Sequence, residues 1–431
     1  MTHAFQAPKG TRDFYPPDMA VRRHLESVWR SVSINHGFEE VDGPTFEHLE
    51  LYTVKSGPGI VSELFSFRRA GGKTEYALRP EFTPTLGRMV ASAIKRLSPP
   101  VKWFSIPTMF RAERPQRGRL REHVQWNVDV VGDASPAAEL EVLAVLIGVL
   151  RRFGLTDRDV TIKLSHRQVV TELLLGAGLD EARLPAAFDL LDRRDKLPAA
   201  EFDERAATLG LDAGTLEVFR PGGQSRIDPA GVSEHFGQLL SALDDAGLAS
   251  WYTTDFGIVR GLAYYTGTVF EVHATSGRER AIAGGGRYDG LVELFGGPPT
   301  PAVGVAMGDV VLRLVLEETG RLSTPETYLP RPDVFVINLL ETTGLRDRTV
   351  AELRDAGLHA RHSHRATKKL GKLLSEADQL RARFAVILGR EAEEGRAVVK
   401  DLAAAKEEEI TLDTLATTLR DRCHAKPEDQ P

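Results

Sequence analysis

Between residues 101 and 132 the chain sets two strand-like runs, VKWFSIPTMF and VQWNVDVVG, on either side of a loop that carries Arg111, Arg114, Arg117, Arg119 and Arg121. A guanidinium fork matches phosphate oxygens two at a time and keeps its charge at any working pH. A solvated loop is the ordinary reading of a charge run. Here the run is built of arginine, and Arg111 abuts a strand end where its side chain is held rigidly, so a bound anion is the stronger reading. The second run alternates Gln125, Asn127 and Asp129 with Trp126, Val128 and Val130. Extended, it has one polar and one apolar face. That pattern is wrong for pure core and right for a sheet floor that holds a polar ligand.

Residues 260–271, RGLAYYTGTVFE, form a second constraint. In an extended chain Tyr264 and Tyr265 point to opposite faces while Arg260 and Tyr264 share one, offering a cation and a phenol to one cavity. A half-buried edge strand with the arginine stacked on a tyrosine is the plainer alternative. Residues 281–290, AIAGGGRYDG, place three glycines in an apolar strand, which implies close approach of a flat ligand or another backbone. The spacing is not that of a dinucleotide fold.

The remaining chain frames these stretches. A turn-rich lead at 7–17 breaks before an amphipathic helix with Ala20, Val21, Leu25, Val28, Trp29 and Val32 at helical spacing, closed by Gly37. A strand at 38–45 ends at Pro44. Residues 63–81 read as a hairpin around Gly71-Gly72-Lys73, not as a P-loop. Glu81 and Thr83 stand at the mouth of the next helix, either as a plain N-cap or as half of a site for a substrate ammonium group. A helix over 133–154 has Ser135 as N-cap and Pro136 at N1. A strand follows at 160–164, then a largely helical, alanine-rich insertion over 166–248 with no catalytic constellation. A strand and helix fill 301–319. Beyond a proline-rich linker, the tail alternates strands and helices as a separate α/β domain.

At 431 residues, 42% hydrophobic and 27% charged, the chain suits two or three soluble domains. No apolar run approaches a membrane span, and the first residues resemble neither a signal nor a transit peptide, so a cytoplasmic protein is expected. One cysteine, Cys423, excludes a disulfide framework and a cysteine zinc site. His362 and His364 have no companion ligands and read as solvent-facing polar residues. A net charge of −6 gives no global footprint for nucleic acid, so local patches must hold any polyanion. Lys368, Lys369 and Lys372 offer one such patch by helical spacing, or an ordinary solvated helix face.

Lys9-Gly-Thr-Arg-Asp, Leu78-Arg-Pro-Glu-Phe-Thr83, Phe110-Arg-Ala-Glu-Arg114 with Gln125 and Asp129, Arg260-Gly-Leu-Ala-Tyr-Tyr265 and Ala283-Gly-Gly-Gly-Arg-Tyr-Asp289 together resemble the histidyl-tRNA synthetase family of class II aminoacyl-tRNA synthetases. The resemblance implies an α+β fold: an antiparallel sheet flanked by helices, a helical insertion and a C-terminal α/β anticodon-binding-like domain. It assigns residues 1–165 and 249–322 to the catalytic core, 166–248 to the insertion, 323–332 to the linker and 333–425 to the anticodon-binding domain. It implies a homodimer that forms histidyl-adenylate from histidine and ATP, then charges the 3′ end of histidine tRNA. Arg111 resembles the arginine on the α-phosphate and Arg260 the second cation there. Glu113, Arg119 and Arg121 fall with them on the ATP side. Glu81, Thr83, Gln125 and Asp129 match positions holding the amino acid's ammonium and carboxylate, and Tyr264 and Tyr265 match the imidazole pocket. Mg2+ is expected on the nucleotide phosphates. Two departures stand out: Ala263 replaces a usual aspartate, and Val311 stands where the third class II motif carries an arginine. Both favour an alternative, a catalytically silent histidine-sensing regulatory subunit such as the partner of ATP phosphoribosyltransferase. The intact arginines, tyrosines and appended domain favour the ligase.

Overall fold

A computed structural model describes residues 5–56, 58–194, 197–219, 228–259 and 265–424. Arg260, Ala263 and Tyr264 therefore lie outside the described residues. Residues up to Tyr328 form one compact unit and those from Leu329 a second.

The first unit is built on a nine-stranded sheet. Its order is Glu39–Glu40, Val101–Ser105, Glu122–Val131, Ala302–Gly308, Ala283–Arg287, Thr268–Ala274, Val160–His166 and Tyr252–Thr254, with Thr108–Phe110 pairing beside Glu122–Val131. The six inner strands run antiparallel, and the two outermost pair parallel to their neighbours. The alternation read from 122–131 is real. Trp126, Val128 and Val130 enter the large core, while Asn127 and Asp129 face the other way, 5% and 7% exposed.

Two helices cover the apolar face. Pro16–Asn35 opens with proline in its first turn and buries Val21, Leu25, Val28, Trp29 and Val32, one stripe at helical spacing. Gly37 follows at φ +75°, as a terminating glycine should. Pro136–Arg152 starts after Ser135, whose backbone N–H is accepted by Asp133 Oδ1 at 2.8 Å. Trp126 Nε1 donates to Ser33 Oγ at 2.9 Å, which ties the first helix to the sheet. Each fully buried large aliphatic side chain contributes about 1.5–3 kcal/mol here. The helices between Arg167–Gly176 and Glu234–Asp245 bury residues in this same core, so the insertion is packed on the sheet.

The opposite face carries a smaller cluster, in which Phe82, Leu86 and Val90 from the helix Thr83–Ala93 meet Tyr265, Tyr288 and Leu291. Two expectations need correction. The strand expected over 38–45 covers only Glu39–Glu40. At Asp42-Gly43-Pro44 the chain leaves the large sheet, and Phe46–His48 joins a second, three-stranded sheet with Glu75–Leu78 and Ser66–Arg68. Pro44 has no N–H for a ladder, and a Cβ on Gly43 would meet Thr85 Cγ2 at 2.4 Å. The run 101–110 is likewise broken, at Ile106-Pro107, into two strands.

The second unit holds a five-stranded sheet in the order Ala360–His362, Val334–Asn338, Phe384–Leu388, Arg396–Asp401 and Lys406–Thr411. The last strand, KEEEIT, is charged at all but its final two positions and carries no apolar period that sequence reading detects.

Candidate active site

The floor of the site is a register effect. Opposite the polar strip of Glu122–Val131 the neighbouring strand places only small residues: Gly308 faces Gln125, Ala306 faces Asn127 and Gly304 faces Asp129. One strand further, Gly286 pairs with Gly304 and Gly284 with Ala306. Cross-strand partners share a face, so a polar strip lies beside a trough with no side chain larger than a methyl. The glycines are required. A Cβ on Gly304 would sit 2.0 Å from Asp129 Oδ1 and 2.8 Å from Tyr288 Oη, and one on Gly286 would fall 2.9 Å from the Tyr265 ring. The triple-glycine segment thus admits close approach, and what approaches is the chain's own Tyr265 and, beneath Gly285, Phe270.

Asp129 is buried and accepts a hydrogen bond from the Tyr288 hydroxyl. Burial pushes its carboxyl up to about 7, against the partial pull of that hydrogen bond. Tyr288 was legible only as part of a motif; its role appears in the fold. Tyr265 is 7% exposed, and its carbonyl accepts from Arg167 Nη1 at 2.8 Å. On the opposite face of the sheet, under the helix Pro136–Arg152, Arg287 and Glu139 form a buried pair with Arg287 Nε donating at 2.6 Å. Burial raises the Glu139 carboxyl, yet the hydrogen bonds from Arg287 and His235 outweigh it and hold the group below its ordinary range.

At the other end of the same strand the arginine loop closes a cavity. Arg111, Arg119, His123 and Gln125 line it with Gly118, Gly308 and Val311. Arg111 is anchored where its strand ends: its backbone N–H reaches Arg121 O at 2.8 Å and its Nε reaches Pro80 O at 3.3 Å, beside Glu81. Arg119 pairs with Glu113. Arg121 turns toward the loop and the lead, donating to Glu113 O at 3.1 Å and Lys9 O at 3.4 Å. The helix Thr83–Ala93 has Phe82 at its N-cap position and no side-chain cap bond, so Glu81 and Thr83 do not serve as a plain cap. Gln125 Oε1 and His123 Nδ1 are buried and have no hydrogen-bond partner among the described residues.

His123 escaped sequence reading because it is a single histidine in a charged loop end. Burial, then the positive charges of Arg111, Arg12 and Arg119, pull its imidazole down to about 3. It is neutral at any working pH. Val311, 8% exposed, forms an apolar wall of the cavity, and Arg313 is engaged elsewhere, with Glu317 at 2.8 Å and Asp18 at 3.5 Å.

In the second unit, the helical spacing read for the lysines does not hold. The helix there is Leu370–Gln379, with Lys369 at its N-cap position, so Lys368 and Lys369 do not lie on a helical face with Lys372. Lys368 instead pairs with Glu341 at 2.7 Å. His362 and His364, with ring centroids 4.5 Å apart, line a cavity with Arg361 and Arg365.

The model of the family described as histidyl-tRNA synthetase matches residues 10–309, and the anticodon binding domain model matches 333–422. A histidine-tRNA ligase of Opitutus terrae is 38% identical over 439 residues, covering 97% of this chain and 98% of that protein. One of Haloarcula marismortui is 36% identical, covering 90% and 91%. Among solved structures, histidyl-tRNA synthetase of a Nostoc species superposes with a TM-score of 0.77 at 24% identity, covering 98% of this chain and all of that one, a likeness of fold.

Proposed function

The chain belongs to the histidyl-tRNA synthetase family, and on that premise we propose that it works as a histidine-tRNA ligase through the floor and rim just described. A histidine-tRNA ligase, a class II aminoacyl-tRNA synthetase, uses ATP, histidine and tRNA. In the first step a carboxylate oxygen of histidine attacks the α-phosphorus of ATP and pyrophosphate leaves. In the second, the 3′-terminal ribose hydroxyl of the tRNA attacks the acyl carbon and AMP leaves.

Arg111 grips the α-phosphate and stabilises the charge that develops as pyrophosphate departs, a term worth about 10²–10³ in rate when one such donor is removed. Arg260 is assigned as a second cation on that phosphate; it lies outside the described residues. Arg119, steadied by Glu113, faces the remaining phosphates, and Arg121 supports the loop. Glu81, Thr83, Gln125 and Asp129 hold the ammonium and carboxylate of histidine over the glycine trough, and Tyr264 and Tyr265 bound the imidazole. The single observation that carries this reading is the register that puts Gln125 and Asp129 on one strip, with Arg111 and Arg119 at its end and glycines beside it.

The described residues contain no group of three or more His, Cys, Asp or Glu side chains that fits a resident metal. Mg2+ is proposed to arrive on the nucleotide's own phosphate oxygens, and no step here is routed through it. Residues 1–165 and 249–322 are assigned to catalysis, 166–248 to the helical insertion, 323–332 to a linker and 333–425 to the tRNA anticodon. A homodimer is supported by the exposed aromatic face of the small sheet, where Phe46 and Phe67 are 48% and 44% exposed and pack edge to face. No helix among the described residues is long and apolar enough to cross a membrane, and we assign the protein to the cytoplasm. The regulatory reading is not favoured: family models match both the catalytic part and an anticodon-binding part. Charging of a histidine tRNA transcript with labelled histidine tests the proposal. Charging with histidine alone supports it; histidine binding without charging replaces it with the sensing role.

A further inference from the structure

Behind the cavity wall formed by Gly308, Val310 and Val311 lies an acid. The helix Asp309–Glu318 opens with Asp309, a carboxylate only 5% exposed, two residues before Val311. A wall with valine in place of a cation, backed by an uncompensated carboxylate, would repel a polyphosphate. Asp309 is held at both oxygens. Oδ1 accepts the backbone N–H of Val124 at 3.0 Å, between the cavity residues His123 and Gln125. Oδ2 accepts from Arg12 Nη2 at 2.6 Å.

Arg12 comes from the lead, 297 residues away in sequence. Its guanidinium lies 4.9 Å from the Phe14 ring centroid, which fixes its direction. The lead itself is fastened to the arginine loop. Gly10 O accepts from Arg121 N at 2.9 Å, and Gly10 adopts φ +88°, where a Cβ would fall 2.6 Å from Pro115 Cγ. The positive charge of Arg12 also reaches His123 and helps to keep that ring neutral.

We propose that Arg12 is a positioning residue for ATP, acting through Asp309: it cancels the acid behind the cavity wall and holds it against the strand between His123 and Gln125, so that a site without an arginine at position 311 still accepts phosphates. The inference rests on the ligase reading for the identity of the ligand. Arg12 itself touches no substrate in this scheme.

The test measures ATP and histidine affinities by calorimetry, and the KM of each in pyrophosphate exchange, for the full chain and three variants. Arg12→Ala should weaken ATP roughly tenfold, the scale of breaking a partly exposed charge pair, and leave histidine affinity unchanged. Asp309→Asn keeps an oxygen for Val124 N–H, so adding it to Arg12→Ala should restore ATP affinity, and Arg12→Lys should retain most of it. Asp309→Asn alone, whose fold does not depend on losing Arg12, should bind ATP as well as the unmodified chain. Unchanged ATP affinity in Arg12→Ala, an equal loss for ATP and histidine, or no recovery on adding Asp309→Asn overturns the inference. Exchange by the unmodified chain with no preference for histidine would instead overturn the ligase reading, whatever Arg12 does.

Discussion

The floor and the rim of the site share one strand, Glu122–Val131, yet they are held by different physics. The floor is a matter of space and burial. Asp129 sits under Tyr288 in a trough that exists because Gly304 and Gly286 have no side chain. The rim is a matter of charge held on a loop. Arg111, Arg119 and Arg121 are set by carbonyls and by Glu113, in partial contact with solvent. A steric site tolerates no added atom, whereas a charged one tolerates exchange of partners so long as the sum of charge is kept. That difference explains how Val311 is accommodated at the rim while the floor keeps its glycines.

The comparison breaks most sharply at Arg111, the rim arginine anchored at its strand end. Arg111→Ala should lower the rate of adenylate formation about 10²–10³-fold with the fold intact, read as kcat in pyrophosphate exchange. A small change in kcat with a large one in ATP KM would make Arg111 a binding group only. On the floor, Gly304→Ala should remove histidine binding and destabilise the protein by about 1–3 kcal/mol, since the new Cβ overlaps Asp129 and Tyr288. Thermal melting with and without histidine checks both halves.

A finer test uses pH. Asp129 titrates near 7 in the folded chain and near 3.8 in the usual range, so the unfolded chain loses this proton first. Its contribution to stability is therefore present below about 4 and declines as pH rises toward 7, the reverse of an ion-paired acid. Histidine binding should move the other way, tightening as pH rises through 7 and the carboxylate forms. Asp129→Asn should abolish that inflection in histidine KM. His123 and His166, held down to about 3 and about 4, are neutral around pH 7 and do not mimic that inflection. An unchanged inflection in the variant would assign the titration to the substrate's own imidazole. The smallest effect belongs outside both regions: Lys368→Ala with Lys369→Ala should leave exchange and melting unchanged and lower tRNA charging by a few-fold at most, because the patch is not a helical face and an exposed ion pair such as Lys368–Glu341 contributes about 0–1 kcal/mol.

The rim was legible from the sequence because arginine clustering is a property of composition and neighbours. The polar strip at Gln125, Asn127 and Asp129 was legible for the same reason: alternation is local. The reasons for the floor were not. Ala302-Val-Gly-Val-Ala-Met-Gly308 carries its own period of two, small residues alternating with large ones, but its meaning depends on pairing with a strand some 180 residues earlier. Tyr288 on Asp129 and Arg12 on Asp309 are contacts of the same kind, joining distant segments. The helical spacing of the three lysines fails because the helix starts only at Leu370. Proline placement, by contrast, guided the helix at 136 well, since a missing N–H is a local fact that no tertiary contact reverses, whereas Pro16 and Pro17, read as part of the lead, open the first helix.

The most direct test of the whole account is exchange of labelled pyrophosphate into ATP by the purified chain, run with histidine and with each other amino acid. Exchange dependent on histidine alone is the result expected of a rim that still binds ATP beside Val311 and a floor that admits one side chain. Tight histidine binding with no exchange would contradict it, leaving a floor kept for sensing and a rim that no longer activates.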